Sequence, residues 1–182
     1  MEQTINLTER LIEQCKNGDE RARFALYKQY VHAMYNVAFR IVGNQFDAED
    51  VVQDAFVKAF NKLSSLKEAK AFGKWMKQIV INEGISLIRR QKRLKLSVEA
   101  VESLPDIEED TDEIELPMRQ VMAAILKLPE GARVVFTLRV IEDYKFGEIA
   151  QLTHQTENNC KVQFHRARKL LNSKLKSTLY AE

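Results

Sequence analysis

The stretch Phe146–Leu171, FGEIAQLTHQTENNCKVQFHRARKLL, decides how the rest of the chain is read. Its first part is a short helix carrying Glu148, Ile149, Ala150 and Leu152, which stops at Thr153-His154-Gln155. Thr156 then stands where its hydroxyl can accept backbone N–H bonds and N-cap a second helix. Along that second helix Cys160, Phe164, Ala167 and Leu171 recur at the spacing of one buried stripe. At about 100° per residue, Asn158, Lys161, Val162, His165, Arg166 and Lys169 fall on the opposite side, a face of amides and cations. In a major groove, Asn and Arg bond base edges while Lys and Arg pair with phosphates, so the pattern predicts a helix-turn-helix. The same residues also fit a solvated amphipathic helix near a C-terminus, because short helix pairs are common.

Working outward, 182 residues can bury one ordinary core or two small ones, and three Pro and six Gly favour helices. No run of about 18 apolar residues occurs, and the N-terminal MEQTINLTERLIEQ has no apolar core segment, so neither a membrane span nor a signal peptide is expected. A cytoplasmic protein is expected on that basis. Cys15 and Cys160 both sit at apolar positions of helical patterns and read as small buried hydrophobes, not as a disulfide or metal pair.

The net charge of +2 conceals a segregation. Residues 1–96 carry 17 Lys/Arg against 11 Asp/Glu, residues 97–117 carry nine Asp/Glu and no Lys or Arg, and residues 118–182 carry 11 Lys/Arg against six Asp/Glu. Two basic lobes joined by an acidic segment fit a nucleic-acid binder, whose affinity comes largely from cations displacing counterions on phosphate. Residues 97–117 also hold two of the three prolines and few large apolar residues, so a flexible, self-repelling tether is expected there.

In the first lobe, Leu7, Leu11, Ile12 and Cys15 stripe a short helix, and Asn17-Gly18-Asp19 breaks it. Tyr27, Tyr30, Met34, Val37 and Ile41 stripe a long second helix that Gly43 ends as a left-handed cap, with Asn44-Gln45-Phe46 as a turn. Asp47 is expected to open the third helix, with Asp50 three residues on. Val52, Phe56, Ala59, Phe60 and Leu63 make its buried stripe, and Asp50, Asp54, Val57, Lys58 and Asn61 its other face, with Gln53 at the border. Those carboxylates fit a solvated face or a docking face for a basic partner better than a metal site, for no His or Cys is near. A fourth helix runs from about Ala69 to Arg93, with Ile81, Ile85 and Ile88 inward. Trp75, Gln78, Asn82, Ser86 and Arg89 share the other side. An aromatic, two amides, a hydroxyl and a cation in a row can stack on an unpaired base and bond its edges. On spacing alone, Trp75 fits a core position against Phe72 and Ile79 better than an exposed one. Arg89, Arg90, Lys92, Arg93 and Lys95 fit a phosphate-binding run, or cations at a helix C-terminus. The second lobe starts near Met118, with stripes at Val121, Ala124, Ile125 and Leu128, a corner at Leu128-Pro129-Glu130-Gly131, and a stripe at Val134, Val135, Leu138 and Ile141. The expected fold is all-α: two small helical domains, 1–96 and 118–182, joined by the acidic linker 97–117.

The segments MYNVAFRIVGNQFDAEDVVQDAFVKAF and FGKWMKQIVINEGISLIRRQKR resemble domain 2 of bacterial sigma factors, and LPEGARVVFTLRVIEDYKFGEIAQL with CKVQFHRARKLL resembles domain 4. With nothing like a domain 1 or 3, the chain is most similar to the extracytoplasmic-function (ECF) group of the sigma-70 family, over residues 20–95 and 118–175. The resemblance implies that Asp50, Gln53, Asp54, Phe56 and Phe60 meet the clamp coiled coil of core RNA polymerase, although Phe56 and Phe60 also belong to the buried stripe. It implies that Leu66–Ala71 and the helix with Lys74, Trp75, Gln78, Asn82 and Ser86 capture flipped −10 bases, while Arg89, Arg90 and Arg93 hold the duplex. It implies that Asn158, Asn159, Lys161, Val162, His165, Arg166 and Lys169 read the −35 element. The implied partners are core polymerase, at clamp coiled coil and flap, and promoter DNA; relatives commonly have an anti-sigma factor as well. Where many relatives read Gly-Thr-Val-Lys-Ser, this chain has Asn158-Asn159-Cys160-Lys161-Val162, so their promoter sequence does not carry over.

Other classes explain less. An ordinary helix-turn-helix regulator would bind operator DNA alone, yet the first lobe's polar faces suit a protein partner and unpaired DNA. A protein-only adaptor leaves Arg166, Arg168 and Lys169 beside the Asn residues unexplained. No Gly-rich phosphate loop, nucleophile with a base or ligand cluster points to an enzyme, a metal or a cofactor, and His32, His154 and His165 lack metal-like spacing.

Overall fold

The computed structural model describes residues 2–95 and 116–179, with side chains from 7–94 and 118–174. All regular structure among them is helical: α1 (Glu2–Lys16), α2 (Glu20–Val42), α3 (Gln45–Asn61), α4 (Phe72–Lys95), α5 (Leu116–Leu126), α6 (Glu130–Phe136), α7 (Phe146–Thr153) and α8 (Glu157–Leu179). Short 3-10 turns occupy Leu63–Ser65 and Ala69–Ala71, and a π-helical turn, Thr137–Ile141, prolongs α6. The residues gather into two compact units, one built on α1, α2 up to Phe39, α3 and α4, and the other on α5–α8 together with Arg40–Asn44.

In the first unit, α1 ends where Gly18 adopts φ 86 and Asp19 caps α2, its carboxylate accepting N–H bonds from Arg21 at 2.8 Å and Ala22 at 3.2 Å. Gln29 on α2 donates to Thr8 Oγ1 on α1 at 2.8 Å. The periodic positions go inside: Leu26, Met34 and Val37 of α2, Val52, Phe56 and Ala59 of α3, and Phe72, Met76, Val80 and Ile81 of α4 are buried. Each large one contributes roughly 1.5–3 kcal/mol by leaving water. Tyr27 meets Phe56 edge-on at 4.8 Å and Tyr30 meets Phe72 at 5.0 Å, locking α2 against both neighbours. Gly73 permits that approach, since a Cβ there would lie 3.2 Å from Tyr30 Cε1.

Three boundaries differ from the sequence expectation. α3 opens at Gln45, not Asp47. Gly43, at φ 84, completes the reversal, Gln45 donates to Glu49 at 3.1 Å within the new first turn, and Asp47 accepts instead from Gln91 of α4 at 2.9 Å. The fourth α-helix begins at Phe72 after the 3-10 turn, later than Ala69. α5 takes in Leu116 and Pro117, the end of the acidic segment, where a first-turn proline gives up no helical hydrogen bond. The tether expected over the rest of that segment falls on 97–115, outside the described residues.

In the second unit Ala124, Ile125, Leu128, Ala132, Ala167 and Leu171 form one buried cluster, with Val121, Phe136 and Leu170 packed on its margin. The α7–α8 turn is defined by hydrogen bonds. His154 takes the left-handed conformation (φ 53), Gln155 N–H reaches Ala150 O at 3.0 Å, and Thr156 Oγ1 accepts Asn159 N–H at 3.1 Å. Glu148 closes the start of α7 by accepting Lys145 N–H at 2.7 Å. Gly131, expected in a corner, lies in the first turn of α6.

Candidate protein and nucleic-acid interfaces

Two faces of the first unit border one groove. α3 lends Asp50, Gln53, Asp54 and Lys58, and α4 lends Glu83, Ser86, Arg89, Arg90 and Arg93, around a space of about 480 Å3. Asp50, Gln53 and Asp54 are exposed as expected, and Val57 stands 60% exposed among them. Phe56 is not available to a partner: it is 3% exposed, under Tyr27 and 5.9 Å from the half-buried Phe60. The buried-stripe reading of Phe56 therefore replaces its reading as a contact, because the ring's whole surface is spent on the core. Glu83, which sequence reasoning did not single out, bonds Lys58 across the groove. Only the pairing of α3 with α4 brings these residues together, so no spacing within either helix signals it.

Along α4, Lys74, Asn82, Ser86, Arg90 and Arg93 are exposed, and Trp75, Gln78 and Arg89 are half-buried. Trp75 leans on the fully buried Phe72 with ring centroids 5.9 Å apart and planes tilted by 48°. It is thus both core neighbour and surface group. Gln78 Nε2 donates to Asn82 Oδ1 at 3.2 Å, so the two amides stand oriented as a pair one turn apart. A flat ring followed by two amides and a hydroxyl can stack on a base and bond its edge, and the arginines can meet phosphate.

On α8, Asn158, Asn159, Lys161, Val162, His165, Arg166 and Lys169 are all exposed, while Cys160 and Ala167 opposite them are fully buried. Phe164 is held by Phe146 at 5.5 Å and Phe136 at 6.1 Å, which fixes the rotation of the helix. Asn159 Nδ2 donates to Gln155 at 2.9 Å, and Lys161 pairs with Glu157 at 2.8 Å. A second groove of about 510 Å3 runs past the start of α7 between Arg139, Lys145, Gln151 and Glu157. Arg139 lies over the Phe146 ring at 5.4 Å and donates to Tyr144 O at 3.1 Å. Sequence periodicity missed Arg139, for the π-turn shifts its direction relative to a regular helix.

Burial raises the thiol pKa of both Cys15 and Cys160, which keeps them protonated and poor as nucleophiles. Among the described residues no group of three His, Cys, Asp or Glu is placed to hold a metal ion, and no helix is long and apolar enough to cross a membrane.

These features define a class: a two-unit helical protein with a helix-turn-helix in one unit and an acidic face beside a row of an aromatic ring, amides and arginines in the other. Comparison makes it specific. Residues 26–94 match the model of sigma-70 region 2 and residues 118–171 that of sigma-70 region 4. The RNA polymerase sigma factor SigV of Bacillus subtilis is 32% identical, over 78% of this chain and 83% of its own length. The ECF RNA polymerase sigma factor SigW of the same organism is 29% identical, over 91% of this chain and 95% of its own. The fold resembles that of the sigma factor RpoE from Bartonella quintana, solved with the anti-sigma factor NepR (TM-score 0.56, 22% identity, 82% of this chain and 94% of that one). The chain belongs to the sigma-70 family, in its ECF group. It is a transcription initiation factor, working with core RNA polymerase and promoter DNA to direct promoter-specific transcription.

Proposed function

We propose that the two units divide promoter recognition. Residues 1–96 dock on core polymerase through Asp50, Gln53 and Asp54, with Phe60 and the buried Phe56 supporting the face from beneath. The same unit traps −10 bases through Lys74, Trp75, Gln78, Asn82 and Ser86, while Arg89, Arg90 and Arg93 hold the phosphates. Residues 118–182 read the −35 duplex through Asn158, Asn159, Lys161, Val162, His165, Arg166 and Lys169. Residues 97–117, carrying nine acids, compete with nucleic acid in the basic channels of the polymerase. The observation that carries this reading is the pairing of an aromatic and amide row on α4 with a capped amide and cation face on α8 in one sigma-family chain. The factor acts by binding alone, in the cytoplasm where its polymerase is. An anti-sigma factor covering one or both units is part of the proposal, supported by the relative solved with one.

Run-off transcription with purified core and a promoter selected from a randomised template pool tests it. The full chain should bind duplex weakly by itself and yield specific transcripts only with core. Tight, site-specific gel shifts without polymerase would instead indicate a free-standing regulator.

A further inference from the structure

Among the described residues, the face that α8 turns outward is polar except at one point. Val162 is 56% exposed. At about 100° per residue it lies near the middle of the exposed face, between Lys169 and Arg166, with Lys161 and Asn159 at the two edges. It falls in the second turn of α8, and the N-terminal part of a recognition helix is the part that reaches base edges. As a β-branched residue in a helix it holds one side-chain rotamer, so its two methyls form a fixed apolar knob.

What such a knob can face in a major groove is narrow. Guanine presents two acceptors, cytosine an amino donor and adenine one of each, and an apolar group pressed against any of them strips water without replacing its hydrogen bond. Thymine alone presents a methyl group there. Lys161, on one flank, is paired with Glu157, and Asn159, on the other, is oriented by Gln155, so the neighbouring polar groups are held to the sides of the knob.

We propose that Val162 is a specificity-determining residue that selects a thymine in the −35 element by contact with its 5-methyl group. This rests on the assignment of α8 to the −35 duplex. The contact carries no hydrogen bond, so it discriminates by disfavouring A, G and C at that position and by the loss of affinity when the methyl is absent.

The test uses holoenzyme assembled from core polymerase and the full chain, first on templates with a randomised −35 region and then on the selected promoter with each −35 thymine replaced singly by deoxyuridine. One replacement should lower transcription by wild-type holoenzyme about fourfold, the scale of one buried methyl group. The same replacement should leave Val162→Ala holoenzyme unaffected, and that variant should select less thymine at that position. Alanine is a better helix former at an exposed site, so loss of folding does not intervene. Identical base selection and identical deoxyuridine responses by wild type and Val162→Ala would overturn the proposal while leaving the −35 assignment standing. Absence of any −35 preference in the wild-type selection would overturn both.

Discussion

The exposed faces of α4 and α8 are built from the same residue classes and differ in what lies beneath and beside them. On α4 the row starts with Trp75, whose ring rests on buried Phe72, and its amides bond each other. It lies beside acids of α3 and Glu83. On α8 the described residues show no exposed Trp, Tyr or Phe, the first turn is capped by Thr156, and an apolar valine stands among amides, cations and the His165 imidazole. A ring with a supported underside suits a base already out of the stack, and a rigid capped helix suits edges inside an intact groove. The contrast teaches that two faces of similar composition can serve unpaired and paired DNA, the difference being set by their support.

The largest effect expected is Phe72→Ala, which removes a fully buried ring shared by α2 and α4 and should cost about 3–5 kcal/mol in denaturant unfolding. Trp75→Ala should cost clearly less; equal losses would make Trp75 a core residue and break the contrast with α8. Next, Arg166→Ala should weaken −35-dependent transcription by about 1–3 kcal/mol while leaving affinity for core unchanged in a fluorescence titration. Asp54→Arg should do the converse, lowering affinity for core about tenfold through like-charge contact with a basic docking site. Unchanged core affinity would remove Asp54 from that surface. Smallest is Thr156→Ala, which withdraws the cap of α8 and should lower stability by about 1 kcal/mol, read as a drop of a few degrees in Tm, with core binding preserved.

Much of this was legible in the chain because helical periodicity is a local property. The stripe of Cys160, Ala167 and Leu171, the Thr156 cap and the Gly43 terminator follow from spacing and residue chemistry, and all are present in the structure. What escaped was set by tertiary partners. Asp47 accepts from Gln91 of α4, and Glu83 reaches Lys58. Phe56 satisfied two readings at once, and only its burial beneath Tyr27 decides between them. Arg139 was hidden by a π-turn, which leaves no sequence period to detect.

The division of labour between α4 and α8 is tested most directly by permanganate reactivity of −10 thymines, followed alongside DNase footprints of the same holoenzyme complexes. With Trp75→Ala the account predicts a −35 footprint like that of the wild type and loss of reactivity at the −10 thymines. With Arg166→Ala it predicts a weakened footprint, with normal reactivity in those complexes that form. Wild-type reactivity with Trp75→Ala would contradict the assignment of strand capture to α4.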